Sequence, residues 1–346
     1  MPTNRNDRIA SLFRAAERKG EYLVACEEPI RQCLARRVNR GSVVRVRQGM
    51  YVRAEYLRGL TRAQKDFHLI KTCQSMHPDW VFCHASAGRV YGMPVGYDED
   101  NAVHIATTKA TRSPSSAGVK RHVVEGDAQD IMQGIRVTSF ERTLFDCMRT
   151  ASFKRSIALA DWVLRMTDAS RGYYINAFLL MGRNLDGTWR AIRAMRYADA
   201  RSESPGESMA RAAMIELGFC LPDLQVELPQ PLDPSKLYRT DFAWQLPDGT
   251  CVLGEFDGMV KYRQHQTGSS GVSMRAISDE RKREASLSLY GMPIVRLTYA
   301  DIMNSKKLSS ILSAYRIPRS ERIARFEAYL VKKRSTSAQI FTFTEW

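Results

Sequence analysis

The sequence predicts a mixed α/β protein with several domains. Its 346 residues exceed the ~100–200 residues of a typical domain. A helical pattern followed by strand alternation occupies the first sixty residues, and a second helix-then-hairpin pattern begins near residue 204. Residues 61–200 mix helix and strand signals. We therefore expect two structured terminal parts separated by a mixed α/β middle region.

The first sixty residues predict two helices and a hairpin. One helix runs from Asp7 to Lys19 and ends at Gly20, and a second follows Pro29 with one apolar face. The segment VVRVR then alternates like a strand, QG forms a turn, and MYV begins the returning strand. A helix followed by a basic hairpin is typical of a winged helix-turn-helix. In that fold the helix enters the major groove of DNA and the wing contacts phosphate.

The charge of the chain supports this interpretation. Lys and Arg number 52 against 37 Asp and Glu, which gives a net charge of +15 and an isoelectric point near 9.6. Residues 1–60 contain thirteen Lys and Arg but six Asp and Glu. DNA is the expected partner of such a surface. The alternatives are a basic helical hairpin that packs internally or binds protein, and a generally basic surface. The predicted DNA-binding residues are Arg31, Arg36, Arg37, Arg40, Arg45 and Arg47.

The segment RRVNRGSVVRVRQGMYV at residues 36–52 resembles the RRGxLxRVRRGVYV segment of AbiEi-family antitoxin domains. The segments WVFCHASA and YGMP, and VTSFERTLFDC at 137–147, also resemble that family. The resemblance implies a winged-helix DNA binder that represses its own toxin–antitoxin operon. A cognate toxin or antitoxin protein is therefore a candidate partner. A lysine- and arginine-containing loop near residues 109–122 either extends the DNA contact or is solvated.

Acidic residues mark the candidate chemical site near the C-terminus. TDFAW at 240–244 predicts a strand, and CVLGEFDG at 251–258 predicts its hairpin partner. Glu255 and Asp257 are two residues apart and face the same side of a strand, and the hairpin could bring Asp241 alongside. Converging carboxylates repel unless a cation joins them. Mg²⁺ suits oxygen ligands and can activate water for phosphodiester hydrolysis.

Each of these acids also has a structural interpretation. Ser204, Pro205 and Glu207 form a capping box with proline at the first helical position, so Glu207 could serve the helix alone. Asp241 could pair with Arg239, and Asp257 could end a turn. The basic residues 281–283 could form a solvated helix face.

The order YRTDFAW, VLGEFDG and DERKREASLSLYGMPIVRLTYADI resembles the PD-(D/E)xK nuclease superfamily, and within it the domains similar to very-short-patch-repair endonucleases. The resemblance covers about 100 residues and implies a restriction-endonuclease-like α/β domain. It maps the helix Glu of the family to Glu207 and makes Asp241 and Glu255 the Mg²⁺ ligands. Asp257 stands where the family has lysine, so Lys261 or Lys282 would replace that cation at the phosphate.

These observations predict four regions: a winged helix at 1–60, an AbiEi-like α/β region at 61–200, a nuclease-like domain at 201–304, and a helix and tail at 305–346. The function expected first is a Mg²⁺-dependent DNA endonuclease in phage defence or a toxin–antitoxin system. The alternatives are a non-catalytic transcriptional regulator or antitoxin, and an antitoxin that neutralises a protein partner directly.

The remaining features limit the classes of protein and of metal site that the sequence is compatible with. Seven cysteines lie without CxxC spacing, which favours reduced thiols in a cytoplasm over a disulfide framework. The sequence has neither a signal-peptide pattern nor a membrane-spanning run, so we expect no membrane partner. His84, His104 and His122 do not follow a known metal-ligand spacing, so hydrogen-bonded structural roles are favoured over metal binding.

Overall fold

The computed structural model describes residues 5–96, 102–108, 118–183, 185–231, 233–258 and 289–335. Its helices and strands confirm the predicted mixed α/β class. The chain divides into two compact units, Met1–Cys147 and Met148–Trp346. This division lies inside the predicted 61–200 region, and the predicted boundaries at 60, 200 and 304 stay predictions.

Across the described ranges, no helix is both long enough and apolar enough to cross a membrane.

The first unit begins with the two helices and the hairpin that the sequence predicts. They are α1 (Arg5–Lys19), β1 (Leu23–Val24), α2 (Glu28–Asn39), β2 (Val43–Arg47) and β3 (Met50–Arg53). Gly49 makes the hairpin turn with a φ of +77°, a value that glycine adopts without steric cost. The strands form an antiparallel sheet of order β1-β3-β2. Ile9, Phe13 and Leu34 from the helices pack against Val43 and Tyr51 of the sheet.

The rest of the first unit surrounds two short strand pairs. Its elements are α3 (Ala54–Gly59), α4 (Arg62–Met76), α5 (His84–Val90), β4 (Val103–Thr107), β5 (Val119–Val123), β6 (Gln129–Met132), β7 (Ile135–Thr138) and α6 (Phe140–Thr150), whose last residues pass into the second unit. β4 and β5 are parallel, and β6 and β7 are antiparallel. Tyr22 and Val52 share a core with Phe82, Ile105 and Val137. One side of the predicted winged-helix segment therefore shares an apolar core with the residues after it, while its two helices pack in a separate core.

The second unit begins with helices. They are α7 (Phe153–Met166), α8 (Arg171–Met181), α9 (Thr188–Arg196) and α10 (Pro205–Glu216). α7, α8 and α10 each follow a serine whose hydroxyl accepts a hydrogen bond from the amide three residues on. This arrangement satisfies an amide that has no partner within the helix. The structure confirms that Ser204 caps α10 and that the helix begins at Pro205, as predicted.

A buried ion pair joins α7 to α10. Arg211 Nη1 lies 2.7 Å from Asp161 Oδ2, and both side chains are at most 4% exposed. The Asp199 amide donates to Asp161 Oδ1 at 2.8 Å, and Arg211 Nη2 donates to the Tyr197 carbonyl at 2.9 Å. Burial raises the pKa of Asp161, while the charge of Arg211 opposes that shift. The pair therefore fixes α10 against α7 and against the segment after α9.

A four-stranded sheet follows α10. The elements are β8 (Asp223–Gln230), β9 (Asp233–Gln245), β10 (Cys251–Asp257), β11 (Ile294–Thr298), α11 (Tyr299–Met303), α12 (Ser305–Ala314) and α13 (Glu321–Ser335). The order is β11-β10-β9-β8, with β8, β9 and β10 antiparallel in sequence and β11 parallel to β10. Met214 of α10 and Leu308 of α12 pack with Phe242, Val252 and Leu297 of the sheet. Pro318 lies between α12 and α13, where its ring prevents the helix from continuing.

Replacing Arg211 with methionine should lower the free energy of unfolding by about 3–5 kcal/mol, because it leaves the Asp161 carboxylate buried without its charge partner. Urea titration followed by circular dichroism measures this change. The control, Arg325→Ala, removes an exposed pair with Glu321 and should cost less than about 0.5 kcal/mol. Equal effects of the two substitutions would contradict the role assigned to Arg211.

Candidate functional site

The predicted acids lie on the two central strands of the second unit's sheet. Asp241 is on β9, and Glu255 and Asp257 are on β10. The backbone pairing of these antiparallel strands runs as far as Gly254 opposite Phe242. The next step of that register would set Glu255 opposite Asp241. The predicted hairpin is confirmed, and it brings these two carboxylate positions to the place where the pairing of β9 and β10 ends.

Where the backbone pairing of β9 and β10 ends, side chains of β9 form hydrogen bonds with the backbone of β10. Asp241 Oδ2 accepts from the Phe256 amide at 2.8 Å. The Thr240 hydroxyl donates to the Gly254 carbonyl at 2.8 Å. Buried backbone groups that lose a strand partner need such replacements. The two side chains therefore allow β9 and β10 to part without leaving these backbone groups unsatisfied. Arg239, the alternative partner considered for Asp241, pairs with Glu203 at 2.8 Å.

The alternation of inward and outward side chains reverses beside Asp241. On β8, Leu224 packs in the core against α10, whereas Val226, two residues later, packs in the cluster with Tyr238 and Leu253. Residues two apart on a regular strand share a face. Gln225 between them has a φ of +55°, a left-handed conformation that costs free energy for a residue other than glycine. The sheet is therefore locally distorted at the candidate site.

Glu207 serves the start of α10. Its amide donates to Ser204 Oγ at 3.2 Å, and its Oε2 accepts from the Glu203 amide at 2.9 Å and from Gln225 Nε2 at 3.0 Å. The Ser204 half of the predicted capping box forms, but the reciprocal half does not, because the Glu207 carboxylate accepts from the Glu203 amide and not from the Ser204 amide. The side chain is buried. These contacts support the structural interpretation of Glu207 and link the cap to the distorted residue of β8.

α10 approaches β10 closely at a glycine. A Cβ atom on Gly206 would lie 2.1 Å from the Phe256 ring, so any larger residue would displace the ring. Phe256 stands between Glu255 and Asp257, and alternation directs its ring to the face opposite theirs. The contact with Gly206 therefore fixes the part of β10 that carries both acids.

Glu255 is buried beside two side chains, Tyr238 and Arg296, that the sequence motifs do not indicate as site residues. The Tyr238 hydroxyl donates to Glu255 Oε1. Arg296 Nη2 lies 3.7 Å from Glu255 Oε2, and the two residues are opposite in the parallel register of β10 and β11. Arg296 is the charged residue within the otherwise mostly apolar strand segment IVRLT. A charge at such a position is the sequence feature that could have indicated a role for Arg296. The register that brings it to Glu255 was not visible in the sequence.

The basic residues predicted to act with these acids belong to the chain segment between β10 and β11. Asp257 ends β10, is half-buried, and lies opposite Thr298 of β11. Lys261 and Lys282 lie outside the described residues. Of the residues that the structure describes, Arg296 is one cationic side chain in contact with an acid of the predicted set.

The acids do not form a compact three-ligand group. Among the described residues, Cys83, His84 and His122 form a group of potential metal ligands with all ligand atoms within 4.8 Å of one another, and the predicted acids do not. Mg²⁺ commonly binds through one or two carboxylates and several waters. Asp241 and Glu255 could therefore supply the protein ligands without a third acid.

The predicted DNA-binding arginines differ in their surroundings. Arg36 and Arg40 at the end of α2, and Arg45 on β2, are exposed. Arg47 is half-buried, and its Nη1 donates to the Gly118 carbonyl at 2.9 Å. Arg47 therefore packs against a later segment of the same unit.

Two further predicted arginines have contacts close to α2. Arg31 pairs with Glu28 at 2.8 Å, and both side chains are largely exposed. Arg37 donates to Asn6 Oδ1 at 2.8 Å. Such surface contacts contribute little to stability and can exchange for a phosphate. Arg36, Arg40 and Arg45 are consequently the strongest candidates for contact with a ligand.

A cavity in the second unit lies apart from the acids. Its volume is about 720 Å³, and neither Asp241 nor Glu255 is among its lining residues. Arginines from α8, α9, α10 and α13 contribute to its wall, namely Arg171, Arg196, Arg211 and Arg322. Arg211 is already held by Asp161. We base the candidate site on the acids, because a pocket's size does not supply metal-binding oxygens.

Comparison with known proteins gives one family. No family model matches the chain. It is 31% identical over 216 residues to the uncharacterized protein Rv2248 of Mycobacterium tuberculosis strain ATCC 25618 / H37Rv, and equally to the uncharacterized protein MT2308 of strain CDC 1551 / Oshkosh. The match covers 62% of this chain and 74% of each relative. The chain belongs to the family of these mycobacterial proteins. The names of these two relatives state no activity.

Replacing Tyr238 with phenylalanine should lower the free energy of unfolding by about 1.5–3 kcal/mol, because a hydrogen bond to a buried charged group is lost. Chemical denaturation measures the change. The control, Tyr290→Phe, removes an exposed hydrogen bond to the Pro229 carbonyl and should cost about 1 kcal/mol or less. A smaller effect at Tyr238 than at Tyr290 would contradict a buried bond to Glu255.

Proposed function

We propose that the protein binds DNA and hydrolyses its phosphodiester bonds with Mg²⁺. The observation that carries the proposal is the position of Asp241 and Glu255 on neighbouring strands, one step beyond the last backbone pair. Buried or half-buried carboxylates at such a place repel each other. A hard divalent cation would relieve that repulsion and bind the oxygens that both side chains offer.

The topology around the acids supports the resemblance to PD-(D/E)xK nucleases. A helix, three antiparallel strands and a fourth strand parallel to the third occur in that order along the chain. A parallel connection normally needs a crossover of a dozen or more residues, and residues 258–293 provide the length. The predicted lysines Lys261 and Lys282 belong to this connection, and under the proposal one of them contacts the phosphate.

The residues around the acids would have distinct tasks in this reaction. Asp241 and Glu255 would hold Mg²⁺, which supplies a more acidic bound water and neutralises charge developing on the phosphate. Tyr238 orients Glu255 through its hydroxyl. Arg296 has its charged group near Glu255 and is about one-third exposed, so it could also contact a phosphate oxygen. Asp257, where related nucleases have lysine, would assist at the edge of the site.

The first unit would provide the DNA contact. Arg36, Arg40 and Arg45 are exposed on the helix and the hairpin that resemble an AbiEi winged helix. In a winged helix these elements meet the major groove and the phosphate backbone. Their charge provides a sequence-independent attraction to DNA that weakens with salt.

A second function is a non-catalytic regulator or antitoxin that represses its own operon. The observation that favours it is the set of contacts at Glu255, whose oxygens face the Tyr238 hydroxyl and the Arg296 guanidinium. Together with Asp257 at the lysine position, these contacts could preserve a nuclease-like fold without hydrolysis. DNA, and a cognate toxin or antitoxin protein, would then be the partners.

Asp241→Asn should reduce Mg²⁺-dependent cleavage of plasmid DNA at least about 100-fold, because loss of a metal ligand removes several kcal/mol of transition-state stabilisation. The asparagine keeps an oxygen for the Phe256 amide, so the fold should persist. Asp248→Asn, in the exposed turn of the same hairpin, is the matched control. Gel assays with single-stranded, duplex and mismatched DNA measure the rate.

The result distinguishes the two functions. Absence of cleavage by the unaltered protein on every substrate, with intact DNA binding, would reject hydrolysis and support the regulator. Equal cleavage by Asp241→Asn and Asp248→Asn would retain hydrolysis but reject the assigned metal ligand.

Combined replacement of Arg36, Arg40 and Arg45 by alanine should weaken DNA binding and make it less sensitive to salt. Each lost phosphate contact should reduce the slope of log affinity against log salt by about 0.9. Fluorescence anisotropy over a series of salt concentrations measures the slope. Arg325→Ala, an exposed arginine of the second unit, serves as the single-charge control. An unchanged slope in the triple variant would place the DNA contact elsewhere.

A further inference from the structure

Four residues of the first unit with metal-binding side chains converge from three elements. Cys83 immediately precedes α5, and His84 is its first residue. His104 lies on β4 and His122 on β5. The parallel register sets His122 opposite Ala106, so His104 and His122 share one face of the strand pair. The spacing of these residues in the sequence does not predict the group, because the pairing of β4 and β5 brings His104 and His122 together and no local motif does.

The ligand atoms are close enough for a single ion. Cys83 Sγ and one ring nitrogen each of His84 and His122 all lie within 4.8 Å of one another. The imidazole rings of His84 and His122 are 3.7 Å apart between centroids. A tetrahedral zinc ion with bonds of about 2.0–2.3 Å needs ligand atoms about 3.3–3.8 Å apart. Small rotations of these side chains would provide that geometry.

The backbone holds His84 in a costly conformation. Its φ is +48°, in the left-handed region that few residues other than glycine occupy. Such a conformation costs on the order of one to three kcal/mol and persists where the surrounding structure imposes it, often at functional sites. Cys83 and His84 are both buried. The surrounding fold therefore holds His84 in a conformation that is unfavourable for most residues other than glycine.

Both histidine ligands have a second polar group that could orient them. Asp146 Oδ2 lies 3.9 Å from His84 Nδ1 and is itself held by Arg142 Nε at 2.7 Å. His104 Nδ1 lies 2.9 Å from His122 Nε2. Metal-binding histidines commonly have their other nitrogen held by such a neighbour, which fixes the ring and its tautomer. His104 lies at hydrogen-bond distance from His122 and matches that arrangement, whereas Asp146 faces His84 at ion-pair distance.

We infer that Cys83, His84 and His122 bind a zinc ion, with His104 and Asp146 as positioning residues. One thiolate and two imidazoles favour Zn²⁺ over Mg²⁺ or Ca²⁺, which prefer oxygen ligands. The ion would join the start of α5 to β5 and so stabilise the first unit. Its ligands differ in chemistry and in position along the chain from Asp241 and Glu255, so this inference stands apart from the proposed hydrolysis.

The test uses the full chain, stripped of metal with a chelator and then titrated with Zn²⁺ against a chromophoric competitor. Cys83→Ser and His122→Gln should each weaken Zn²⁺ binding at least about 100-fold, and His104→Gln about 10–100-fold. His84→Asn removes the imidazole but keeps a residue that tolerates a positive φ. Cys33→Ser and His77→Gln, outside the cluster, should leave affinity unchanged.

A second measurement does not depend on the folding of any variant. Co²⁺ added to the unaltered metal-free protein should produce the near-ultraviolet charge-transfer absorption of a cobalt–thiolate bond, and Zn²⁺ should displace it. Zn²⁺ should also raise the melting temperature, because it binds the folded state. Absence of the thiolate band, or Zn²⁺ affinity equal in the unaltered protein and in folded Cys83→Ser, would overturn the inference.

Discussion

The placement of the second unit's candidate site depends on the buried pair of Asp161 and Arg211. This ion pair joins α10 to α7, and both charged groups are buried. Removing either side chain would leave the other charge unpaired in the low-dielectric interior. α10 in turn presents Gly206 to Phe256 of β10. Because that ring lies between Glu255 and Asp257, a pair formed between helices also limits where the acids of the sheet can lie.

The end of the β9–β10 pairing imposes the second constraint. Asp241 and Thr240 use their side chains to satisfy the Phe256 amide and the Gly254 carbonyl, so the same residues support the fold and line the candidate site. The left-handed Gln225 links this region to Glu207. If Mg²⁺ binds as proposed, Asp241 can hold the ion through Oδ1, or through the lone pair of Oδ2 that the Phe256 amide does not use.

Sequence patterns predicted the parts of the fold that local interactions determine. The Ser204 cap, the Gly49 turn and the hairpin carrying Asp241 and Glu255 each follow from neighbouring residues. Contacts between distant segments were not predictable in this way. Arg296 reaches Glu255 only through the parallel register of β10 and β11, and the hydrogen bond from Arg47 to the Gly118 carbonyl joins residues 71 positions apart. Glu207 and Arg47 show that a charged residue in a suggestive motif can serve the fold.

The two proposed metal sites differ in ligand chemistry. The acids offer oxygen atoms alone, which suits a strongly hydrated ion that keeps several waters. The cluster at Cys83, His84 and His122 offers sulfur and nitrogen, for which Mg²⁺ competes poorly. Each ion could therefore be removed or exchanged without emptying the other site. Loss of cleavage on Mg²⁺ removal with the zinc retained would assign the chemistry to the acids, whereas zinc would act on the stability of the first unit.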